Sequence, residues 1–589
     1  MHLATLDWII VGIYFLFVLI VGLIVSRKAG DNVSEFFLSG RNMAWWLLGV
    51  SMVATTFSAD TPNLVTGLVR VDGVAGNWAW WAFLLTGMLT VFVYAKLWRR
   101  SMVLTDVEFY ELRYSGKAAA FLRGFRALYL GLVFNVVVMG AVSLAAIKFG
   151  EIVLGMPGWL TLLIAGSITL AYSAFGGLKA VVITDFVQFI LAMIGSVWAC
   201  IYLVNHEKVG GLGTLLSHEN VQEKAHLFPD FSDPAIWVPI LLVPLAVQWW
   251  ASYYPGSEPG GGGYIAQRMF SAKNERNAIG ATLFFNVAHY ALRPWPWILI
   301  ALASLVIFPE LTDIQEVFPT LSADKLGHDV AYPAMLTMLP AGLLGLVAAS
   351  LIAAFMSTIS TQLNLGASYL VNDFYQRFMK PDATQGELVW AARVTTVLTA
   401  VLGLGLGLLL TDAGQAFNLL LLLGAGTGLI YILRWFWWRI NAMTEIIAMI
   451  ASLLIAGYFT FINQSMEGWQ TIVIGSLLTT VVWIVAAYVT PPTDDKTLRN
   501  FYQKIKPGGN GWDMVIKKAQ AEGVPIEKEQ GQLPLEILCV VVGCFTVYAA
   551  LFAMGNWIYG NTGTASLLSV VAIAGGGFLF WAWKILKAN

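Results

Sequence analysis

The chain has 589 residues, of which 58% are hydrophobic and 12% are charged, and its formal net charge is −1. This composition excludes a string of soluble domains, and the balanced charge excludes a general attraction to nucleic acid. Apolar windows of roughly 18 or more residues recur along the whole length and predict a polytopic, all-α protein of the lipid bilayer.

The apolar windows predict about fifteen transmembrane helices. They lie at residues 7–26, 43–70, 77–98, 125–149, 158–174, 179–204, 235–255, 278–308, 330–371, 388–411, 414–434, 443–462, 471–490, 535–556 and 564–586. The first is expected to be retained, because no basic segment precedes it and no cleavage site follows it. Lysine and arginine concentrate in alternate loops, which places the N-terminus outside and the C-terminus in the cytoplasm of a plasma (inner) membrane protein.

The spans group into five predicted regions. These are an N-terminal helix and loop (1–42), a first repeat (43–204), an extracellular loop (205–234), a second repeat (235–434), and C-terminal helices (435–589) that include a cytoplasmic loop at 491–534. The sequence has no phosphate-binding GxxxxGK[ST] motif, no HExxH or CxxC pair, and only scattered histidines. Neither ATP-driven transport nor an intramembrane enzyme is therefore predicted.

The second span contains a predicted break. Asp60 and Pro62 stand in its middle, and proline both lacks an N–H donor and pushes Thr61 away from the α region. Freed carbonyls are tolerated at membrane depth only where they line a cavity or bind a polar group. A simple proline kink is the alternative, but a carboxylate in hydrocarbon costs about 3 kcal/mol unless it faces a polar cavity. We therefore expect a break near residues 54–61.

The seventh span ends in a second interruption. Pro255, Pro259 and four successive glycines, Gly260–Gly263, end any helix that begins before them, although an ordinary flexible loop is the alternative interpretation. Each predicted repeat has five spans with the interruption in its first span, and repeats with an odd number of spans have opposite orientations. This pattern predicts an inverted-repeat transporter with a binding site near the midplane of the membrane.

The segment AAFMSTISTQ, residues 353–362, places four hydroxyls in an apolar span: Ser357, Thr358, Ser360 and Thr361. On a helix they share one face. Such hydroxyls commonly bond carbonyls of their own helix or assist helix packing, and this alternative stays open. Together with unwound carbonyls, they would supply the neutral oxygen ligands that a small hard cation such as Na⁺ requires.

Three motifs together resemble the sodium/solute symporter family over essentially the whole chain. They are YIAQRM ahead of SAKNERNA (271–278), GGLKAVVITDFVQ (176–188) and AAFMSTISTQLNLGASYLVNDFYQ (353–376). The resemblance implies the LeuT-type fold, which is an inverted repeat of five plus five helices with an extra N-terminal helix and further C-terminal helices. It also implies a sodium-coupled symporter that works by alternating access.

The resemblance further implies two groups of sodium ligands. The family's common sodium site would be formed by Ala54, Phe57, Ala354, Ser357 and Thr358. A further site, present in some members, would be formed by Asp185, Ser360 and Thr361. The alternative role for Asp185 is an ion pair near the end of its helix.

The family's solute site lies between the two broken helices. This placement points to Ser58, Asp60, Thr61, Trp78, Trp80, Gln248, Trp249 and Tyr253. Aromatic rings beside hydrogen-bonding groups suit a sugar, but tryptophans also serve as interfacial anchors. The glutamate of the family's bacterial sugar carriers is Ala79 here, so either Asp60 compensates or the solute differs in class.

Two other functions remain open from the sequence. Arg293 suits an amino acid or carboxylate as the solute, or a pair with Asp60. A transporter-like membrane sensor would keep the fold and pass a signal to a partner, although no fused signalling domain is predicted.

Overall fold

The structure, a computed structural model, describes residues 3–29, 32–58, 60–251, 259–319, 321, 325–410, 427–463, 465–524, 526–528 and 532–586. Within these ranges the protein is helical, and no β-strand is present. One isolated bridge pairs Met43 with Ala272, so the residue that precedes the first broken helix lies beside the residue that follows the second.

The helices used below are numbered along the chain. They are α1 (Thr5–Ala29), α2 (Trp45–Thr55), α3 (Asp60–Asp72), α4 (Val74–Ser101), α5 (Gly116–Leu154), α6 (Gly158–Ala174), α7 (Gly176–Val204), α8 (Pro234–Ala246), α9 (Gly263–Ser271), α10 (Glu275–Ile307), α11 (Leu343–Met379), α12 (Gln385–Leu409), α13 (Ala442–Ile462), α14 (Gly468–Val489), α15 (Asp495–Ile505), α16 (Asp513–Ala521), α17 (Leu533–Ile558) and α18 (Thr562–Ile585). Ten of them are long and apolar enough to cross a membrane, counting only the described part of the chain. The count of fifteen stays a prediction, because most of the predicted span 414–434 lies outside the described residues.

Several predicted boundaries differ from the structure. The predicted span 330–371 is two elements, a short helix at Ala331–Leu336 and then α11, because Pro340 and the left-handed Gly342 (φ 87°) stand between them. The separate spans 158–174 and 179–204 form one helical run with a kink at Gly177 (φ 55°). α5 begins at Gly116 rather than at 125, since the charge of Arg123 is balanced by Glu111 and Asp373, which a hydropathy window does not see.

The first turn of α1 holds the N-terminus of α11. The buried carboxylate of Asp7 accepts hydrogen bonds from the backbone N–H groups of Gly342 (2.6 Å) and Gly345 (2.7 Å). These N–H groups have no partner within their own helix, so an acceptor from another helix satisfies them. Almost every residue of α11 between Leu343 and Ser368 is buried, which makes this helix the centre of the molecule.

The opposite end of α11 is fixed by ion pairs. Arg123 of α5 contacts Asp373 (2.6 Å) and Glu111 (2.8 Å), and Arg377 contacts Glu111 (2.9 Å). Burial opposes ionisation of Glu111, but hydrogen bonds from Arg377 and Arg123 outweigh it, so the pKa of this carboxyl is lowered. Both ends of the central helix are thereby tied to neighbouring elements.

The glycine run before α9 is buried against α4. Gly260 and Gly261 have left-handed backbones (φ 90° and 82°), and the Gly260 carbonyl accepts a hydrogen bond from Trp98 Nε1 at 2.8 Å. A Cβ on Gly260 would lie 3.0 Å from the Tyr94 ring. Asp106 accepts a hydrogen bond from the N–H of Gly263 at 2.8 Å, at the start of α9. In the described residues the run is therefore a packed, unwound segment.

The predicted loop 491–534 contains two helices, α15 and α16, that pack on the rest of the chain. Phe501 and Trp512 stack with ring centroids 5.5 Å apart, and the Arg113 guanidinium lies over the Trp512 ring at 4.9 Å. Arg113 also donates to the carbonyl of Arg434 at 2.8 Å. This segment is thus docked on the helix ends around Arg113 and Arg434.

Candidate sodium and solute sites

The helix break predicted from Asp60 and Pro62 is confirmed. α2 ends at Thr55 and α3 begins at Asp60. The carbonyl of Ala54 accepts a hydrogen bond from the N–H of Phe57 at 3.0 Å, which tightens the last turn of α2. Pro62 lies in the first turn of α3, where a missing N–H donor leaves no helical bond unmade.

The predicted common sodium site brings α2 and α11 together. The Thr358 hydroxyl donates to the carbonyls of Thr55 (2.9 Å) and Ala354 (3.2 Å) and so joins the two helices. The Ser357 hydroxyl, one residue away, donates to Asp185 at 2.6 Å. All five residues predicted for this site are buried: Ala54, Phe57, Ala354, Ser357 and Thr358. Carbonyl and hydroxyl oxygens without net charge are the ligands that sodium sites use, so the donor set here suits Na⁺.

The side chains predicted for a further sodium site are also close together, and they are already bonded to protein groups. Asp185 accepts hydrogen bonds from Ser51 (2.5 Å) and Ser357. The Ser360 hydroxyl donates to the carbonyl of Ser357 in its own helix at 2.9 Å. Thr361 accepts a hydrogen bond from Arg268 at 2.8 Å. Arg268 was not predicted to take part in this site, although it lies in the YIAQRM motif.

A cavity of about 100 Å³ opens beside the break, between α3, α4, α9 and α10. Its polar lining includes Asp60, Thr61, Tyr264, Asn286, His289 and Arg293. The predicted residues Asp60, Thr61 and Trp80 line it, whereas Tyr264 and Asn286 were not predicted. A periodic pattern of polar residues on α10 is the signal that would have identified Asn286, His289 and Arg293 together.

A π-helical segment of α10 brings two of these residues to the cavity. Ala288–Leu292 is π-helical, and the N–H of Arg293 bonds back to the carbonyl of Ala288 at 3.3 Å. Pro294 and Pro296 follow and lack N–H donors, which favours an irregular ladder at this point. His289 and Tyr290 lie on the widened turn and line the cavity.

Three acceptor atoms lie among the cavity side chains. Asp60 Oδ1 and Asn286 Oδ1 are buried and have no hydrogen-bond partner among the described residues. Thr56 donates its hydroxyl proton to the Val53 carbonyl at 2.8 Å, so its oxygen accepts from His289 Nδ1, 3.2 Å away. That assignment leaves His289 Nε2 as the acceptor of the ring. A ligand of this cavity therefore needs several hydrogen-bond donors.

One wall of the cavity is aromatic. The Trp80 ring stacks on Tyr290 with centroids 5.8 Å apart and an interplanar angle of 22°. The Trp80 indole N–H donates to Asn77 at 2.8 Å, which fixes the ring. A flat, rigid ring of this kind suits the C–H face of a small cyclic solute.

The other predicted solute residues that the structure describes do not line this cavity. Trp78 donates to the carbonyl of Leu227 at 3.1 Å, Gln248 donates to the carbonyl of Ala79 at 2.8 Å, and Trp249 packs against Trp250. Ser58 is buried without lining the cavity. Tyr253 lies outside the described residues.

The chain is similar to sodium cotransporters over most of its length. The sequence profile "Sodium:solute symporter family" matches residues 36–452. A sodium/glucose cotransporter of Vibrio parahaemolyticus is 27% identical over 512 residues, which are 84% of this chain and 92% of that protein. The human sodium/myo-inositol cotransporter 2 is 25% identical over 76% of this chain and 69% of its own length. These relatives are transporters, not enzymes.

A solved structure shares the fold. The substrate-bound, outward-open state of a Na⁺-coupled sialic acid symporter superposes with a TM-score of 0.66 at 18% identity. The superposition covers 83% of this chain and 99% of that one. The match confirms the predicted fold class, an all-α membrane protein with the LeuT-type inverted repeat. Sodium is the coupling ion of this group of proteins. The chain belongs to the sodium:solute symporter family.

Proposed function

We propose that the protein imports a small polyhydroxylated solute, such as a monosaccharide or a cyclic polyol, together with sodium by alternating access. The observation that supports this solute class is Asp60 Oδ1, a buried carboxylate oxygen that lines the cavity and has no described hydrogen-bond partner. Such an oxygen is costly to bury unless a donor reaches it, and a hydroxyl supplies one. The names of the relatives, with glucose and myo-inositol, support the same class.

The remaining cavity groups fit a ring that bears several hydroxyls. Asn286 Oδ1 and His289 Nε2 would accept from further hydroxyls, and the Trp80 ring would cover an apolar face of the solute. The family's bacterial sugar carriers have a glutamate at the position of Ala79. Asp60 would supply the carboxylate in its place. The cavity volume, about 100 Å³, leaves no room for an oligosaccharide.

The proposed sodium site lies where α2 ends beside α11. Its ligands would be the carbonyls of Ala54, Phe57 and Ala354 and the hydroxyls of Ser357 and Thr358. An ion there would hold α2 against α11 through oxygens of both helices, and the solute cavity begins at Asp60, directly after the break. The coupling is reciprocal, so a bound solute tightens the binding of sodium by the same factor.

A second candidate solute is an amino acid or another carboxylate. Arg293 lines the cavity and supports this alternative. However, Arg293 donates to the carbonyl of Val53 at 3.2 Å and lies over the Trp297 ring at 5.3 Å. The guanidinium thus already serves the protein, and for this reason the polyhydroxylated solute ranks first.

The test is a titration of the purified protein with monosaccharides, polyols, amino acids and carboxylates, read by the fluorescence of its 24 tryptophans. We expect a polyhydroxylated solute to change the signal only when sodium is present. Asp60→Asn should lower the affinity for that solute about tenfold or more, and a tenfold change is a loss of about 1.4 kcal/mol of binding free energy. The control is Asp230→Asn in an exposed loop. Responses to carboxylates alone would favour the second candidate, and equal responses with choline in place of sodium would contradict the proposal.

We propose that the protein lies in the cell membrane. In the proposed orientation the N-terminus is outside the cell, and α15 and α16 are in the cytoplasm. The concentration of basic residues in alternate loops supports it. A single cysteine introduced in the 205–234 segment should react with an impermeant thiol reagent in whole cells, whereas one at Lys517 should not. The reverse labelling would contradict this topology.

A further inference from the structure

A buried ion pair lies beside the proposed sodium site. Asp185 of α7 and Arg268 of α9 are both 0% exposed, and Arg268 Nη2 lies 3.8 Å from Asp185 Oδ2. Ser51 and Ser357 donate to the two oxygens of the carboxylate at 2.5 and 2.6 Å. Three helices and α9 therefore meet around one negative and one positive charge.

The three nitrogens of the Arg268 guanidinium are all bonded inside this cluster. Nη2 donates to Thr361 at 2.8 Å, Nε to Ser51 at 3.3 Å and Nη1 to Gln267 at 3.0 Å. Gln267 is itself held, because its amide N–H₂ donates to Asn364 (2.8 Å) and to the carbonyl of Phe37 (3.2 Å). The positive charge is thus fixed in place by the surrounding helices.

A carboxylate in this position requires a positive partner. A buried, unpaired charge is far more costly than a paired one, and a sodium ion would supply the same single charge that the guanidinium supplies. Arg268 already donates to Thr361, which a sodium ion would need as a ligand. An ion at Asp185 and Thr361 would also face the guanidinium at contact distance, where like charges repel.

We propose that Arg268 is a tethered cation that takes the place of a second sodium ion, so that the protein binds one Na⁺ and couples one Na⁺ to each solute. The inference rests on the proposed function for the remaining sodium site, at Ala354 and Thr358. The Asp185 cluster is then a permanent ion pair that positions Ser357 through its hydrogen bond, rather than a site that an ion enters and leaves.

The experiment counts sodium ions on the purified full-length protein in lipid nanodiscs. Radiolabelled sodium at saturation is expected to give one ion per wild-type protein. Two ions would overturn the tethered-cation role and leave the proposed function intact. No bound sodium would overturn the proposed sodium site itself, and this inference with it.

Variants of the pair provide a second, independent count. Arg268→Gln frees the Asp185 carboxylate and is expected to bind two ions, whereas Asp185→Asn/Arg268→Gln removes both charges and is expected to bind one. The matched control is Arg70→Gln, another buried arginine, whose bonds go to Ser304 and Pro309, and it should bind one ion. If Arg268→Gln is not recovered folded, the double variant decides, since a count of zero there would make Asp185 necessary for sodium and overturn the proposal.

Discussion

Single side chains can test whether the break between α2 and α3 holds an ion, as proposed. The Thr358 hydroxyl is a direct polar link between α11 and the end of α2, at 2.9 Å from the Thr55 carbonyl. A threonine in this position contributes an oxygen without a net charge, so an ion it binds can also leave. Thr358 is therefore the residue at which sodium affinity is most directly tested.

Replacement of Thr358 by valine keeps the shape of the side chain and removes the oxygen. We expect the sodium concentration at half-saturation to rise about tenfold to a hundredfold, because a hydrogen-bonding or ligating contact to a charged group contributes about 1.5–3 kcal/mol. The measurement is the binding of radiolabelled sodium, and Thr358→Ser should retain most of the affinity. Thr399→Val is the control, since the Thr399 hydroxyl bonds only carbonyls of its own helix, at 2.9 and 3.2 Å. Equal affinities in the two valine variants would contradict the site.

Two neighbouring tryptophans differ in their relation to the proposed solute cavity. Trp80 lines the cavity and stacks on Tyr290, whereas Trp78 packs against Phe228 with centroids 5.6 Å apart. We expect Trp80→Phe to raise the KM for the solute about threefold to tenfold, as the loss of an aromatic contact of about 0.5–1.5 kcal/mol implies. Trp78→Phe should leave KM nearly unchanged and lower the melting temperature instead. Uptake kinetics and thermal unfolding on the same preparations decide between the two.

The residues show what the sequence could and could not predict. Ser357 and Thr358 could be proposed as ligands from the sequence, because a cluster of hydroxyls in an apolar span is visible within one helix. The partner of Asp185 was not predictable, because Arg268 is 83 positions away and only the folded chain brings α7 and α9 together. Trp78 and Gln248 were predicted at the solute site but do not line the cavity. The direction in which a side chain points beyond a broken helix is set by tertiary packing, which the sequence does not show.

The two interruptions, the break between α2 and α3 and the glycine run before α9, have different causes. α2 ends where Asp60 and Pro62 follow, and this position was predictable because proline has a known local effect. The glycine run before α9 is unwound but packed against α4, which no local pattern indicates. A glycine with a left-handed backbone and a close neighbour tolerates no side chain, so the second interruption should be sensitive to small substitutions.

Gly260→Ala adds one methyl group at such a position. The left-handed backbone costs an L-residue roughly 1–2 kcal/mol, and the new Cβ would also press on the Tyr94 ring at 3.0 Å. We therefore expect a lower melting temperature and a reduced yield of folded protein. Gly213→Ala is the matched control, because nothing lies within 4 Å of a Cβ there. Similar melting temperatures for both variants would show that the glycine run is not packed as described.

At the scale of the whole molecule, the number of coupled ions sets how strongly the solute is concentrated. One sodium ion moving down a tenfold gradient and a membrane potential of about 100 mV releases roughly 1.4 + 2.3 kcal/mol. That free energy supports a solute ratio of a few hundredfold, whereas two ions would support about 10⁵-fold. With Arg268 as the internal cation, we expect the lower limit.

This limit is measured in proteoliposomes under a fixed sodium gradient and potassium-set potential, with the solute identified by the fluorescence titration. The steady-state ratio of internal to external solute should stay below about 10³-fold. Replacing sodium with choline should abolish accumulation. A ratio near 10⁵-fold would contradict one-ion coupling without affecting the symport itself.

The architecture of the whole molecule was largely predictable, because long apolar windows and two interruptions are strong signals. The limits of that prediction follow from charge. The first turns of α5 contain Arg123, whose charge is balanced by Asp373 and Glu111, so a window that penalises charge places the helix start nine residues too late. The docked pair α15 and α16 was likewise not predicted, since it is held partly by residues far away along the chain, such as Arg113, whose guanidinium lies over the Trp512 ring.

The contact of Asp7 with the N-terminus of α11 has a mechanical consequence. Two backbone N–H groups of the helix that bears the proposed sodium hydroxyls are bonded to a residue of α1, a helix outside the predicted repeats. If α11 shifts during transport, α1 either travels with it as one rigid unit or releases both bonds at once. A helix outside the predicted repeats is thus bonded directly to the most deeply buried helix of the fold.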